Sequence, residues 1–310
     1  MRLFDRAVVR VLPAMPRSVV RRVAAQYIAG STLDDARRVV ASLNAEGMKA
    51  TVDVLGEEIA RPEEAEAIAQ AYRDALAAIA EDGLEANISI KLTGFGLKLD
   101  ERLCRTLVFG LVEDAAARGI FVRLDMEDSS TTDATLALYR DLRSAGHDRV
   151  GIVLQAALRR TLDDATALGP LEPSVRLCRG IYVEPEAIAF QGFDEVRTSF
   201  VSCLDALLAA GARVAVATHD EWLIEQTLAR VPGLAEGRYE MQMLLGVRVD
   251  RARQLVTDGH PLRVYVPYGE QWYEYSLRRL QENPKVAGYV AKDVFGRLVP
   301  GRLRTRTTPA

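Results

Sequence analysis

The chain has 310 residues, 49% hydrophobic and 27% charged, enough to bury a large core under a solvated surface and too apolar for a disordered or fibrous chain. Its 40 basic and 43 acidic residues nearly cancel to a net charge of -3, which argues against nucleic acid as the main partner. Three cysteines, Cys104, Cys178 and Cys203, lie far apart with no CxxC or Cys/His cluster, so neither a disulfide scaffold nor structural zinc is expected. That cysteine usage suits a reducing cytoplasm, and no apolar run reaches the roughly 18 to 20 residues of a membrane span.

In chain order, the first segment carries Arg2, Arg6, Arg10, Arg17, Arg21 and Arg22 against the single acid Asp5, interleaved with Leu3, Phe4, Val8, Val9, Val11 and Leu12. It lacks the apolar core and cleavage site of a secretory signal. The expectation is an amphipathic helix packed on the outside of the fold, with peripheral contact to the inner face of the cytoplasmic membrane as the other reading. Two helices follow, over Pro16–Ala29 and Thr32–Ala45, the second opened by Ser31 or Thr32 and stopped by Gly47.

Eight apolar runs rich in Val and Ile then begin near Ala50, Asn87, Ile120, Val150, Ser174, Ala212, Tyr239 and Arg263, with starts 24 to 38 residues apart. That spacing leaves room for one crossover helix between parallel strands, and Pro62–Ile79, Glu101–Arg118, Asp194–Ala210 and Glu221–Arg230 read as such helices. Eight units can close into an α/β fold of the (β/α)8 barrel class. The runs are nearly continuous in apolar residues, as expected when both faces of a strand are covered. The organisation expected is N-terminal helices over 1–48, the barrel over 49–299 and a fraying tail over 300–310.

Barrel enzymes place their chemistry at the carboxyl ends of the strands. Here those positions hold Asp53 and Glu57, then Lys91, Asp125 and Glu127, Gln155, Arg176, Arg179 and Tyr182, Thr218, His219 and Asp220, Gln242, and finally Tyr265 and Tyr268. Any one pair could simply hold neighbouring strands together. So many charges are costly to desolvate unless they are paired or serve a ligand, and the collection reads as a site. In the last predicted helix, Tyr275, Arg278 and Arg279 fall within about one turn, and paired guanidinium groups suit a carboxylate. There is no HExxH, GxSxG, GxGxxG or GxxxxGK motif, so no metal is expected and an organic cofactor would be held by strand ends.

The segments DVLGE, SIKLTG, RLDMED, VRLCRGIYVEP, ATHD, YEMQMLLG and RVYVPYGEQWYEYSLRRLQENP, in this order between Ala50 and Pro284, resemble proline dehydrogenase of the single-function bacterial type. RLCRGIY and YSLRRLQEN are specific in combination. The resemblance implies bound FAD, oxidation of L-proline to 1-pyrroline-5-carboxylate, and electrons passed to membrane quinone. It also implies a downstream pyrroline-5-carboxylate dehydrogenase that consumes the product.

By the same resemblance, Arg176 lies beside the flavin, with Met126, Gln155, Arg179, Gly180, Ile181, Thr218 and His219 as further cofactor contacts and Glu282 near the adenosine part. Lys91, Arg278 and Arg279 would hold the proline carboxylate, and Asp125 would orient Lys91 and tune the charge around the amine. Tyr182, Tyr265 and Tyr275 would wall the pyrrolidine ring, while Glu57 would pair with Arg279 as a gate. Arg179 and Ile181 stand where the family commonly has lysine and alanine. Two other readings fit the residues alone: a Schiff-base aldolase using Lys91, and a non-catalytic barrel that binds an amino acid or docks at a membrane.

Overall fold

Alternating side chains along each apolar run give every strand one face for the helices and one for the centre of the molecule. The computed structural model describes residues 26–57 and 59–272. The basic segment over 1–22, residues 16–25 of the first predicted helix, Tyr275, Arg278, Arg279, Glu282 and the tail over 300–310 lie outside the described residues, and with them the partner expected for Glu57.

The first described helix, α1 (Leu33–Ala45), is closed at its start by Thr32 and Asp35. The Thr32 hydroxyl accepts from the Asp35 backbone N–H at 3.2 Å, and the Asp35 carboxylate accepts from that of Thr32 at 3.1 Å. Its buried Ala36 and Val40 pack toward β1 (Lys49–Val54) and β8 (Leu262–Tyr268). Between those strands run α2 (Pro62–Glu81), β2 (Ala86–Ile90), α3 (Glu101–Ala117), β3 (Val122–Leu124), α4 (Thr132–Ser144), β4 (Val150–Gln155) and α5 (Thr161–Leu168). They are followed by β5 (Ser174–Cys178), α6 (Phe193–Ala209), β6 (Arg213–Ala217), α7 (Glu221–Leu228), β7 (Tyr239–Leu244) and α8 (Val249–Thr257).

All eight strand pairings are parallel, and β1 pairs with β8, so the barrel is closed. Among the described residues no helix is long and apolar enough to cross a membrane.

Both strand faces are covered, as the near-continuous runs suggested, but most of the apolar residues lie on the helix side. Val52, Ile88, Ile90, Val122, Leu124, Ile152, Leu154, Val175, Leu177, Val214, Val216, Met241, Val264 and Val266 join the core formed with the helices. There they meet Tyr72, Leu76, Leu111, Tyr139 and Phe200, all almost completely buried, and each such side chain contributes on the order of 1.5–3 kcal/mol. The residues in between turn into the barrel, where Thr51 bonds Asn87 at 2.5 Å and Arg263 bonds Glu240 at 2.8 Å. The lumen is polar because its groups satisfy one another across strands, which a single run of sequence does not reveal.

Arg123 crosses this lumen, donating from Nη1 to the Ser174 carbonyl at 2.6 Å and from Nη2 to the Ser174 hydroxyl at 3.1 Å. Gly151 makes room for it. A Cβ there would lie 2.4 Å from Arg123 Nη1, 2.6 Å from the Phe121 ring and 2.6 Å from the Ser174 carbonyl. Gly151→Ala is therefore expected to destabilise the barrel by about 2–3 kcal/mol. Urea denaturation checks this, and an unchanged midpoint would show that the lumen yields more easily than its geometry implies.

Candidate active site

Lys91 follows β2 directly and starts the short 3-10 turn Leu92–Phe95, so its side chain leaves the strand end at the barrel mouth. Its ammonium lies 2.9 and 3.0 Å from the two Asp53 carboxylate oxygens, donates to the Tyr265 hydroxyl at 3.2 Å, and sits 3.7 Å from Asp125. Burial works against this charge, but Asp53 and then Asp125 outweigh it and hold the lysine well above its usual pKa. Asp53, by contrast, is fully buried, and burial raises its pKa despite Lys91. The closer acid to Lys91 is thus Asp53, a strand-end residue to which the sequence reading assigned no role, rather than Asp125. A tyrosine missed by the sequence, Tyr72 of α2, reaches Asp53 at 3.1 Å and the Ser89 carbonyl at 2.6 Å.

Asp125 follows β3 in a different setting. One carboxylate oxygen accepts from the Ser89 hydroxyl at 2.6 Å and from Arg176 Nη1 at 2.7 Å, and the other accepts from Tyr265 at 3.1 Å. Burial alone would raise its pKa, yet Arg176 and then Lys91 reverse the effect and lower it. Two carboxylates of one mouth are therefore driven in opposite directions, an arrangement that functional sites use to separate roles.

Arg176 is the centre of this network. It is 6% exposed, its Nε donates to Gln242 Oε1 at 2.6 Å, and its guanidinium lies 5.3 Å from the centre of the Tyr265 ring. Its Nη2 is buried and has no hydrogen-bond partner among the described residues. A buried guanidinium nitrogen without an acceptor costs on the order of 1–3 kcal/mol; Arg123 Nε and Arg143 Nε share this state, but only Arg176 stands within the Lys91–Asp125–Tyr265 group.

The cofactor candidates lie around the adjoining strand ends. Met126 and Gln155 are buried, and the Gln155 amide donates to the Glu127 carbonyl at 2.7 Å. Gly180 has φ +99°, and a Cβ would come within 3.1 Å of Gln155 Oε1, so the chain passes close over Gln155 only because this residue is glycine. Thr218 is buried and its hydroxyl accepts from the Asp220 backbone at 3.1 Å. His219 Nε2 accepts from the Leu244 backbone at 3.0 Å, which holds the ring against β7.

Arg179 is exposed with its guanidinium 5.6 Å from the Phe193 ring centre. Ile181 is 51% exposed, so its extra bulk relative to alanine is turned at least partly to solvent. Tyr182 is half-buried, and burial, then Glu127 and Glu57, raise its hydroxyl pKa, which keeps it a neutral wall. Glu184 ties this loop to the one after β3 by accepting from the Ser129 backbone and hydroxyl, both at 2.7 Å.

The structure thus brings Lys91, Asp125, Arg176 and Tyr265 into one connected group at the mouth, with Asp53, Ser89 and Gln242 added. Ser89 was detectable in principle, because it lies two residues before Lys91 on the same strand face. Gln242 stood among the strand-end residues but carried no assignment.

Comparison with known proteins identifies the family. The sequence model described as "Proline dehydrogenase" matches residues 36–292. Proline dehydrogenase 1 of Bacillus subtilis subsp. natto is 37% identical over 274 residues, covering 88% of this chain and 90% of its own length. Proline dehydrogenase of Deinococcus radiodurans is 33% identical over 287 residues, covering 91% and 93%. The crystal structure of proline utilization A from Bdellovibrio bacteriovorus inactivated by N-propargylglycine superposes with a TM-score of 0.80 at 22% identity. It matches 95% of this chain and 38% of its own, and shows the shared fold. The matched residues, the barrel and the relatives agree: the chain belongs to the proline dehydrogenase family, oxidoreductases that act on proline.

Proposed function

We propose that this protein oxidises L-proline to 1-pyrroline-5-carboxylate with FAD bound at the carboxyl ends of the barrel strands, and that the electrons pass to a membrane quinone. The observation that carries the reading is Arg176 Nη2, a buried donor with no acceptor among the described residues, at the centre of a network in which its Nε and Nη1 are paired. The acceptor-rich edge of an isoalloxazine ring fits this donor, and the close approach of Gly180 to Gln155 leaves backbone near the same strand ends. Met126, Gln155, Arg179, Gly180, Ile181, Thr218 and His219 would hold the cofactor.

Bound FAD supplies the acceptor for the hydride that leaves the ring carbon next to nitrogen. Lys91, kept as an ammonium by Asp53, contributes charge for the proline carboxylate together with Arg278 and Arg279 of the sequence. Asp125, kept ionised by Arg176, balances part of that positive charge and fixes the Tyr265 hydroxyl at the substrate wall. Tyr182 and Tyr265 shield the site from water with apolar ring faces. Arg176 stabilises negative charge that develops on reduction.

The Schiff-base alternative needs a neutral amine at Lys91, and the two carboxylates beside it oppose that form. The quinone and the peripheral membrane contact rest on the family resemblance and on the basic N-terminal segment. Pyrroline-5-carboxylate dehydrogenase is the enzyme expected to consume the product.

The deciding experiment is the visible spectrum of purified, FAD-reconstituted protein before and after anaerobic L-proline. Flavin bands that bleach support the reading. Bands that persist reject proline as the donor, and protein that takes up no FAD rejects the cofactor.

A further inference from the structure

Arg176 and Asp125 are joined by one guanidinium nitrogen only, although arginine and carboxylate prefer two parallel bonds. The second carboxylate oxygen is taken by Tyr265, and on its other side the guanidinium is held by Gln242 through Nε at 2.6 Å. Without that second hold, the guanidinium could turn into a two-bond pair with Asp125, and Nη2 would be consumed inside the protein.

The Gln242 amide is itself held. Its Nε2 donates at 2.6 Å to Glu240 Oε1, which also accepts from Arg263 Nε at 2.8 Å, and Arg263 Nη1 donates to the Ala50 carbonyl at 2.7 Å. Glu240 and Gln242 are two residues apart on β7 and so share the lumen face. The Arg176 Nε–H can only donate and an ionised carboxylate can only accept, so the amide has one orientation that bonds both neighbours. Burial opposes the charge on Glu240, but Arg263 outweighs it and lowers the Glu240 pKa, which keeps this end of the chain an acceptor.

We propose that Gln242 is a positioning residue for the reaction: locked by Glu240 and Arg263, it holds Arg176 off a two-bond pair with Asp125 and keeps Nη2 turned to the flavin. The inference rests on the flavin reading above. Gln242 is 5% exposed and acts from the lumen side, through Arg176.

The test uses full-length, FAD-loaded protein and the variant Gln242→Met, which keeps the side-chain length and removes the acceptor, with Gln242→Asn as the second variant, whose shorter side chain withdraws it. The readouts are the flavin midpoint potential and the separate kcat and KM for L-proline. Loss of the hold is expected to shift the reduction equilibrium about tenfold toward oxidised flavin, about 30 mV for a two-electron couple. The kcat is expected to fall about tenfold with KM within roughly twofold.

A potential equal to wild type in a variant that binds FAD overturns the inference while leaving the flavin reading intact. If Gln242→Met does not fold, the same comparison on Gln242→Asn decides. Wild-type protein that takes up no FAD overturns the flavin reading, and the inference with it.

Discussion

Arg176→Met is expected to lower proline-dependent turnover by roughly a hundred- to a thousandfold, the usual cost of removing one preorganised donor aimed at charge that develops in the reaction. Asp125 would then keep Ser89 and Tyr265 but lose the cation that most strongly lowers its pKa. A group whose folded pKa is depressed contributes stability above its unfolded value, and that contribution disappears as pH falls through the folded pKa. For Asp125 the ordinary value is 3.8, so the wild type should hold its advantage over Arg176→Met at neutral pH and lose it progressively below that value. Chemical denaturation at several pH values measures the difference. An advantage that persists unchanged into strong acid would show that the Arg176–Asp125 charge pair is not its source. Arg176→Lys, which keeps the charge but not the planar fork, is expected to recover only part of the turnover.

The second large effect is expected at Lys91. Lys91→Met should raise the KM for L-proline by about a hundredfold, since a charge-assisted contact to the carboxylate is lost, and change kcat less. A Schiff-base mechanism makes the opposite prediction, abolition of turnover at any substrate concentration, so the same variant separates the two readings.

The variant also leaves Asp53 fully buried beside Tyr72 with no cation in contact among the described residues. Burial already raises the Asp53 pKa, and without Lys91 it rises further. The folded state then binds a proton that the unfolded chain releases, so the variant's stability must fall as pH climbs from the ordinary value of 3.8 through the raised folded value. Denaturation midpoints relative to wild type should therefore separate as pH increases. Convergence at higher pH would contradict the buried Asp53–Lys91 pair.

Much of the barrel was legible because the crossover geometry leaves a regular trace. The predicted starts at Ala50, Asn87, Val150, Ser174 and Tyr239 fall within one residue of strands beginning at Lys49, Ala86, Val150, Ser174 and Tyr239. Lys91 and Asp125 were likewise legible, since they directly follow β2 and β3, whereas Arg176 and Tyr265, expected at strand ends, lie in the middle of β5 and β8 and reach the group from within the barrel. The least legible elements were those whose partners come from distant strands. β1 and β8 lie at opposite ends of the described barrel sequence and are neighbours only through closure.

The sequence by itself determined the number and order of the strand and helix units, the polar residues available at the mouth and, through its motifs, the family. Only the tertiary structure decided which charges pair. It set Asp53 rather than Asp125 closest to Lys91, tied Arg176 to Asp125 by one nitrogen, and put Gln242, Glu240 and Arg263 behind that arginine. The physical reason is that helix and strand periods are local properties of the chain. Buried charges are instead settled by desolvation and by whichever groups closure brings within hydrogen-bond distance, and neither can be read from spacing.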